Sequence, residues 1–159
     1  MTATESAHHS PLPTPTALAA LVSRVTETMI GMAFSVSPSA KELVPWQQDP
    51  GWRTVLLPIG GARPVTVAVA ADEATGKAIG GRMFSCPDSE VDEEMLLDTL
   101  RELANIIAGQ VKSAMSLDQA LGLPKVVPPG TAVEGLWRSA VLQPDHGREQ
   151  LFWVAITDR

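Results

Sequence analysis

One helical pattern constrains the fold of this chain more than any other feature, and it runs from about Val91 to Met115. Apolar residues recur in this segment every three or four positions, and an α-helix turns about 100° per residue, so they gather on one side. These apolar residues are Leu96, Leu100, Leu103, Ile107, Val111 and Ala114. The pattern predicts a long amphipathic helix with one face against a core.

The opposite side of this helix carries four residues that we call the polar stripe: Asp98, Glu102, Asn105 and Gly109. Offsets of four and seven residues place the three side chains within about 60° of one another. Gly109 follows one turn later, where a glycine either weakens the helix or keeps space open beside the stripe. Any surface helix needs a polar outer face, so periodicity alone leaves a purely structural role open.

The spacing of these polar residues resembles the signature of the CheC/CheX/FliY family of chemotaxis phosphatases. That signature is an Asp or Ser, three residues, Glu, two residues, Asn, twenty-two residues and then Pro. Here Asp98, Glu102, Asn105 and Pro128 hold those places at the same spacing. The segment ELANIIAG around the motif is also similar to the family, and the likeness extends over roughly residues 16 to 158.

The resemblance implies the CheC-like fold, which is α+β, with two related halves and a mostly antiparallel sheet that has two long helices packed on one face. The order of helical and alternating segments agrees with antiparallel pairing. Besides the motif helix, the patterns predict helices at 17–32 and 73–84, strands at 52–59, 65–71, 131–142 and 151–157, and strand stubs at 34–36 and 125–127. We expect one domain over residues 14–159 behind a flexible tail of residues 1–13.

Residues suited to helix N-caps precede each predicted helix. They are Thr14 or Thr16, then Asp72, then Asp88 or Ser89. The first helix is predicted to bury an apolar face made of Leu18, Leu21, Val22, Val25, Met29 and Met32.

The first helix also holds a faint copy of the motif, with Ser23, Glu27 and Ile30 at the same spacing. An isoleucine cannot hydrogen-bond a water molecule, so we assign no catalysis to the first half.

The resemblance further implies the substrate, which would be the aspartyl phosphate of a CheY-like response regulator. Asn105 would orient the attacking water, because an amide both donates and accepts hydrogen bonds without ionising. Glu102 would dock to the active-site lysine of the regulator. Asp98 and Gly109 would belong to the docking surface, and Pro128 would shape the loop beside the helix. The regulator would bring its own Mg²⁺, so no cofactor or metal site is expected in this chain.

Two other interpretations stay open. The chain could be a catalytically silent module that binds a regulator or forms a homodimer, since related CheX proteins pair through their sheets. The first half lacks its amide, and Gln110 stands where the family usually has an Asn. An adaptor for a flagellar or secretion switch, suggested by the FliY relatives, is less favoured because no additional switch domain is evident in the sequence.

Composition excludes several other classes of function. A net charge of −6 and a pI of about 5.0 argue against nucleic-acid and anionic-membrane partners. One cysteine, Cys86, permits no internal disulfide, and no Cys/His set has zinc spacing. The chain shows no secretory signal and no apolar run of about 20 residues, so we expect a cytoplasmic protein.

Other chemically interesting residues are better explained by structure. The four tryptophans are spread over different predicted strands, which favours packing over an aromatic binding surface. Cys86 has no base nearby in sequence, which disfavours nucleophilic catalysis. Asp98 and Glu102 are expected in open solvent, where a carboxylate does not gain the shifted pKa of a general acid.

Overall fold

The computed structural model describes residues 11–37, 43–48, 51–128, 131–144 and 150–158. Three α-helices occur in these ranges: α1 (Pro15–Ile30), α2 (Glu73–Phe84) and α3 (Glu93–Ala114). Six strands accompany them: β1 (Phe34–Val36), β2 (Arg53–Ile59), β3 (Val65–Ala71), β4 (Lys125–Val127), β5 (Arg138–Pro144) and β6 (Phe152–Thr157). Short 3₁₀ turns lie at Pro45–Gln47 and Asp88–Glu90.

The six strands form one sheet in the order β1-β5-β6-β3-β2-β4, and every neighbouring pair is antiparallel. If β1, β2 and β3 are exchanged with β4, β5 and β6, the same order results when it is read from the opposite edge of the sheet. The two halves therefore have matching topology. Each half supplies two central strands, and its first strand lies at the edge of the other half's pair. The predicted α+β fold with a mostly antiparallel sheet is confirmed.

The main core lies between one face of the sheet and the helices. Strand residues alternate, so that Val55, Leu57 and Ile59 of β2 point into this core. α1 packs over β1, β5 and β6, whereas α3 packs over β2 and β3. Both long helices therefore cover the same face of the sheet, as predicted.

The other face of the sheet carries a smaller apolar cluster that contains the tryptophans. The ring of Trp153, only 2% exposed, contacts Trp46 at a centroid distance of 5.7 Å and Trp137 at 6.2 Å. Trp52 packs against the same cluster. The prediction that the tryptophans serve packing is confirmed.

α2 lies close against α3 because two of its glycines face that helix. A Cβ atom on Gly76 would come within 2.9 Å of the Leu96 side chain, and one on Gly80 within 2.9 Å of Thr99 Oγ1. Any side chain at these positions would force the two helices apart. The boundaries of α2 and its N-cap, Asp72, are as predicted.

The first helix is shifted by two residues from the predicted range. Thr14 caps it, with Pro15 as its first residue, and Gly31 ends it in the left-handed conformation at φ 68°. Met29 was predicted on the buried face, but it is 38% exposed. It lies in the last turn of α1 and lines a groove between α1 and α3. Met32 is buried, as predicted, although it lies outside the helix.

The motif helix differs from prediction at both ends. Asp92 is its N-cap and accepts the N–H of Met95 at 2.8 Å, whereas the predicted cap residues, Asp88 and Ser89, form the preceding 3₁₀ turn. Ala114 is exposed because the helix ends there, and Met115 fills the core in its place.

The strand predicted at 131–142 begins only at Arg138 and extends to Pro144. Arg138 pairs with Ile156, the penultimate residue of β6, so residues 131–136 would extend past the end of that strand. Gly135, at φ 131°, also departs from extended geometry. The predicted tail, residues 1–13, lies largely outside the described residues, but Leu12 packs against the main core.

Candidate functional site

α3 presents the polar stripe because its opposite side is anchored in the core. Eight of its residues are buried: Leu96, Thr99, Leu100, Leu103, Ala104, Ile107, Ala108 and Val111. Burial of each large apolar side chain stabilises the folded protein by about 1.5–3 kcal/mol. Burial of this many side chains therefore fixes the rotation of the helix about its own axis. The polar stripe must then face away from the sheet.

An ion pair fastens the first turn of α3 to the sheet. Arg53 on β2 donates to both carboxylate oxygens of Glu93, at 2.7 and 2.8 Å. The hydrogen bond from Arg53 lowers the pKa of the Glu93 carboxyl, and the same bond raises the pKa of Arg53. This bidentate contact adds to the core in fixing where α3 begins.

Glu102 and Asn105 lie side by side on the outer surface of α3. Glu102 is exposed and Asn105 is half-buried. Across the described part of the chain, neither side chain takes part in a hydrogen bond or an ion pair. A carboxylate and an amide that bind nothing within their own chain remain available to a partner.

Asp98, the first residue of the stripe, is already paired. Arg101 Nη1 donates to Asp98 Oδ1 at 2.7 Å, and the two side chains are 40% and 53% exposed. Sequence reasoning missed Arg101, although its spacing of three residues from an aspartate is a known signal for helical ion pairs. As a result, Glu102 is the carboxylate of the stripe whose charge is not compensated by a neighbour.

The space beside the stripe is open at Gly109. A Cβ atom at this position would meet nothing within 4 Å, so the glycine is not required by close packing. A groove of about 240 Å³ runs between α1 and α3 on the same side of the molecule, lined by Arg24, Val25, Thr28, Met29, Ile106 and Gln110. Gly109 and this groove leave the C-terminal part of the stripe accessible.

The faint motif copy in α1 has a structural use. Ser23 Oγ accepts the backbone N–H of Phe34 at 3.0 Å, which ties the start of β1 to the helix. Ile30 packs against the main core, and Glu27 is exposed. The first half therefore offers no amide at the position that corresponds to Asn105.

Pro128, the last residue of the motif, directly follows β4 at the edge of the sheet. It is exposed, and its carbonyl accepts the N–H of Thr131 at 3.1 Å. β4 contacts α3 and pairs with β2 through Thr54 and Val127. Pro128 thus lies at the end of an edge strand that contacts the motif helix.

Two further observations concern the described residues as a group. No three of their His, Cys, Asp or Glu side chains come together in an arrangement that could hold a metal ion. None of their helices has the length and apolar character needed to cross a membrane.

The fold of the chain is that of the CheC-like proteins. The chain belongs to the CheX family: the family model described as "Chemotaxis phosphatase CheX" matches residues 53–132, a range that begins with β2 and includes all of α3 and Pro128. Membership of this family supports phosphatase activity in general. A comparison with curated protein sequences gives no match.

Solved structures of this family share the fold at low sequence identity. The chemotaxis protein CheX from Vibrio vulnificus has a TM-score of 0.66 at 19% identity, over 88% of this chain and 92% of that one. CheX in the CheX–CheY–BeF3–Mg complex from Borrelia burgdorferi has a TM-score of 0.62 at 14% identity, over 88% and 94%. FliY from Thermotoga maritima has a TM-score of 0.58 at 14% identity, over 88% and 84%.

Proposed function

We propose that this protein is a phosphatase that hydrolyses the aspartyl phosphate of a CheY-like response regulator. One observation carries the proposal: Glu102 and Asn105, at the family spacing, lie on the outer face of α3 with no partner in the described part of the chain. The Borrelia burgdorferi structure, in which a CheX protein is bound to CheY, supports the choice of partner.

In this proposal Asn105 enters the regulator's active site and holds the attacking water. Its carboxamide oxygen accepts a hydrogen bond from the water, and its N–H₂ group donates to a neighbouring oxygen. The water attacks phosphorus, and the bond between phosphorus and the aspartyl oxygen breaks. Inorganic phosphate and a free carboxylate result. The contribution of Asn105 is the orientation of the nucleophile, which lowers the entropic part of the barrier.

Glu102 supplies the docking charge in the same proposal. Its carboxylate would pair with the active-site lysine of the regulator and set the register of α3 on the partner. Because Asp98 is neutralised by Arg101 at 2.7 Å, Glu102 is the acid of the stripe that is best suited to this pairing.

The proposal assigns the metal to the partner. A Mg²⁺ ion in the regulator's active site would neutralise the negative charge that develops on the phosphoryl group. This chain would then need to supply only side chains that bind, register and orient the water.

The decisive experiment is the decay of a phosphorylated CheY-like regulator from the same organism, with Mg²⁺ present. The wild-type protein should accelerate the decay, and Asn105→Ala should remove that acceleration, a loss of about 100-fold or more for a water-positioning group. Because the Asn105 side chain does not fill the core, the circular dichroism spectrum of the variant should match the wild type.

The alternative of a silent binding module predicts a different result. If the wild-type protein binds the phosphorylated regulator but leaves its decay unchanged, the phosphatase proposal is wrong and the binding module is favoured. Full activity in Asn105→Ala would leave a phosphatase whose chemistry does not use this amide.

A further inference from the structure

We infer that Arg101 is a further residue of this site, and that its guanidinium contacts the phosphoryl group that Asn105 approaches. The inference rests on the proposed function, since it concerns the same surface and the same substrate.

Arg101 lies beside Asn105 on the surface of α3. Arg101 comes three residues after Asp98 and four before Asn105, and side chains at these separations are neighbours on a helix surface. Four residues advance a helix by about 6 Å. A partner that covers Asn105 and Glu102 therefore meets Arg101 as well.

The Arg101 side chain keeps N–H donors available to a partner. Arg101 uses one N–H for its 2.7 Å bond to Asp98 and is 40% exposed. A guanidinium has five N–H donors, so several remain for a partner. An exposed ion pair of this kind is weak, so Asp98 does not prevent the guanidinium from binding a partner.

A guanidinium is chemically suited to bind a phosphoryl group. A phosphoryl group undergoing hydrolysis carries negative charge on its three equatorial oxygens in the transition state. The guanidinium is always charged, and its planar fork matches two such oxygens. Arg101 would neither take nor give a proton. As the water–phosphorus bond forms and the phosphorus–aspartyl bond breaks, its guanidinium would stabilise the negative charge on the equatorial oxygens.

Lys77 on α2 provides a matched control. It forms an exposed ion pair with Glu73 at 3.3 Å, and its side chain is 34% exposed. Lys77→Gln therefore removes the same charge as Arg101→Gln, and also removes a helical ion pair, but on a different helix.

The experiment measures binding and hydrolysis separately. In an Asn105→Ala background, the affinity for the Mg²⁺–beryllofluoride form of the regulator is divided by the affinity for the unmodified form. Arg101→Gln should lower this ratio about tenfold, the loss expected for one charge-assisted hydrogen-bond contact. Arg101→Lys should recover part of it, and Lys77→Gln should leave it unchanged.

With Asn105 intact, Arg101→Gln should also lower the maximal rate of regulator dephosphorylation, whereas Lys77→Gln should not. A merely structural ion pair would change neither the affinity ratio nor this rate. If Arg101→Gln keeps the wild-type affinity ratio and maximal rate while Asn105→Ala abolishes hydrolysis, the inference is overturned and the proposed function stands. If the wild-type protein neither binds nor dephosphorylates the regulator, both are overturned.

Discussion

At the scale of single residues, the polar stripe combines a neutralised acid with an uncompensated one. Asp98 is paired with Arg101, whereas Glu102 has no ion-pair partner in the described part of the chain. The family spacing pointed to both acids, but it could not distinguish them. The distinction depends on which way the Arg101 side chain turns, and a spacing pattern does not specify a rotamer.

Glu102→Gln should weaken docking more than chemistry. We expect the regulator concentration that gives half-maximal dephosphorylation to rise about tenfold, because an amide cannot provide the charge that pairs with a lysine. The maximal rate should change less. Steady-state rates over a series of regulator concentrations measure both quantities.

Glu27→Gln is the control for that experiment, since Glu27 is the exposed acid at the equivalent place in α1. It should behave as the wild type does. An unchanged concentration dependence in Glu102→Gln would remove Glu102 from the docking surface.

Gly109→Ala should separate stability from function. The new methyl group would meet nothing within 4 Å, and alanine is the better helix former, so the free energy of unfolding should rise by about 0.5–1 kcal/mol. The added group would project beside Asn105, and we expect weaker binding of the regulator. Urea unfolding and a binding titration together test this. A variant that is both more stable and fully active would show that the space at Gly109 is not used.

At the scale of elements, α3 is held from two sides, by the core beneath it and by the Arg53–Glu93 ion pair at its first turn. The two contacts respond differently to pH. Core burial does not change with protonation, whereas the ion pair requires an ionised Glu93.

The ion pair should make stability depend on pH in the acid range. The pKa of Glu93 is lowered in the folded protein, so its contribution is present above the ordinary value of 4.5 and is lost as pH falls through the lowered value. Since Glu93 is 55% exposed, we expect Glu93→Gln to cost only about 0.5–1 kcal/mol at pH 7. The difference between variant and wild type should disappear well below pH 4.5. Urea unfolding at several pH values measures it.

Glu94→Gln is the matched control, because Glu94 lies in the same first turn and shares the favourable interaction with the helix dipole. It has no ion-pair partner in the described ranges. Equal effects of the two variants at neutral pH would mean that the dipole, rather than Arg53, accounts for the stabilisation.

Elements whose ends are marked by local residues were predictable, whereas the start of one long strand was not. α2 and β3 match their predicted bounds because Asp72 and the Val65–Val67–Val69 alternation specify them locally. The start of β5 was wrong because only pairing with β6 decides where it begins. The outward placement of Glu102 and Asn105 followed from spacing, whereas the groove between α1 and α3 depends on how two distant segments pack.

At the scale of the whole molecule, the two halves share one sheet and one main core. Strand β1 of the first half pairs with β5 of the second, and β4 of the second half pairs with β2 of the first. Neither half has a complete sheet without the other. We therefore expect the halves to unfold together.

Urea unfolding followed by tryptophan fluorescence and by far-ultraviolet circular dichroism tests this cooperativity. The tryptophans lie on the outer face of the sheet and the helices on the opposite face, so the two signals report on different layers. Both should give one midpoint, as in a two-state transition. Two separate midpoints would indicate that the layers or halves are independently stable.

The exchange of edge strands also determines when a growing chain can become a folded protein. Phe34 pairs with Pro144, a contact between residues on the order of a hundred positions apart, and closing so long a segment is slow. When α3 has just emerged from the ribosome, the nascent chain already contains the whole polar stripe, but the sheet still lacks β5 and β6. Competence to act on a partner should therefore arrive only after β5 and β6 have been synthesised and have joined the sheet.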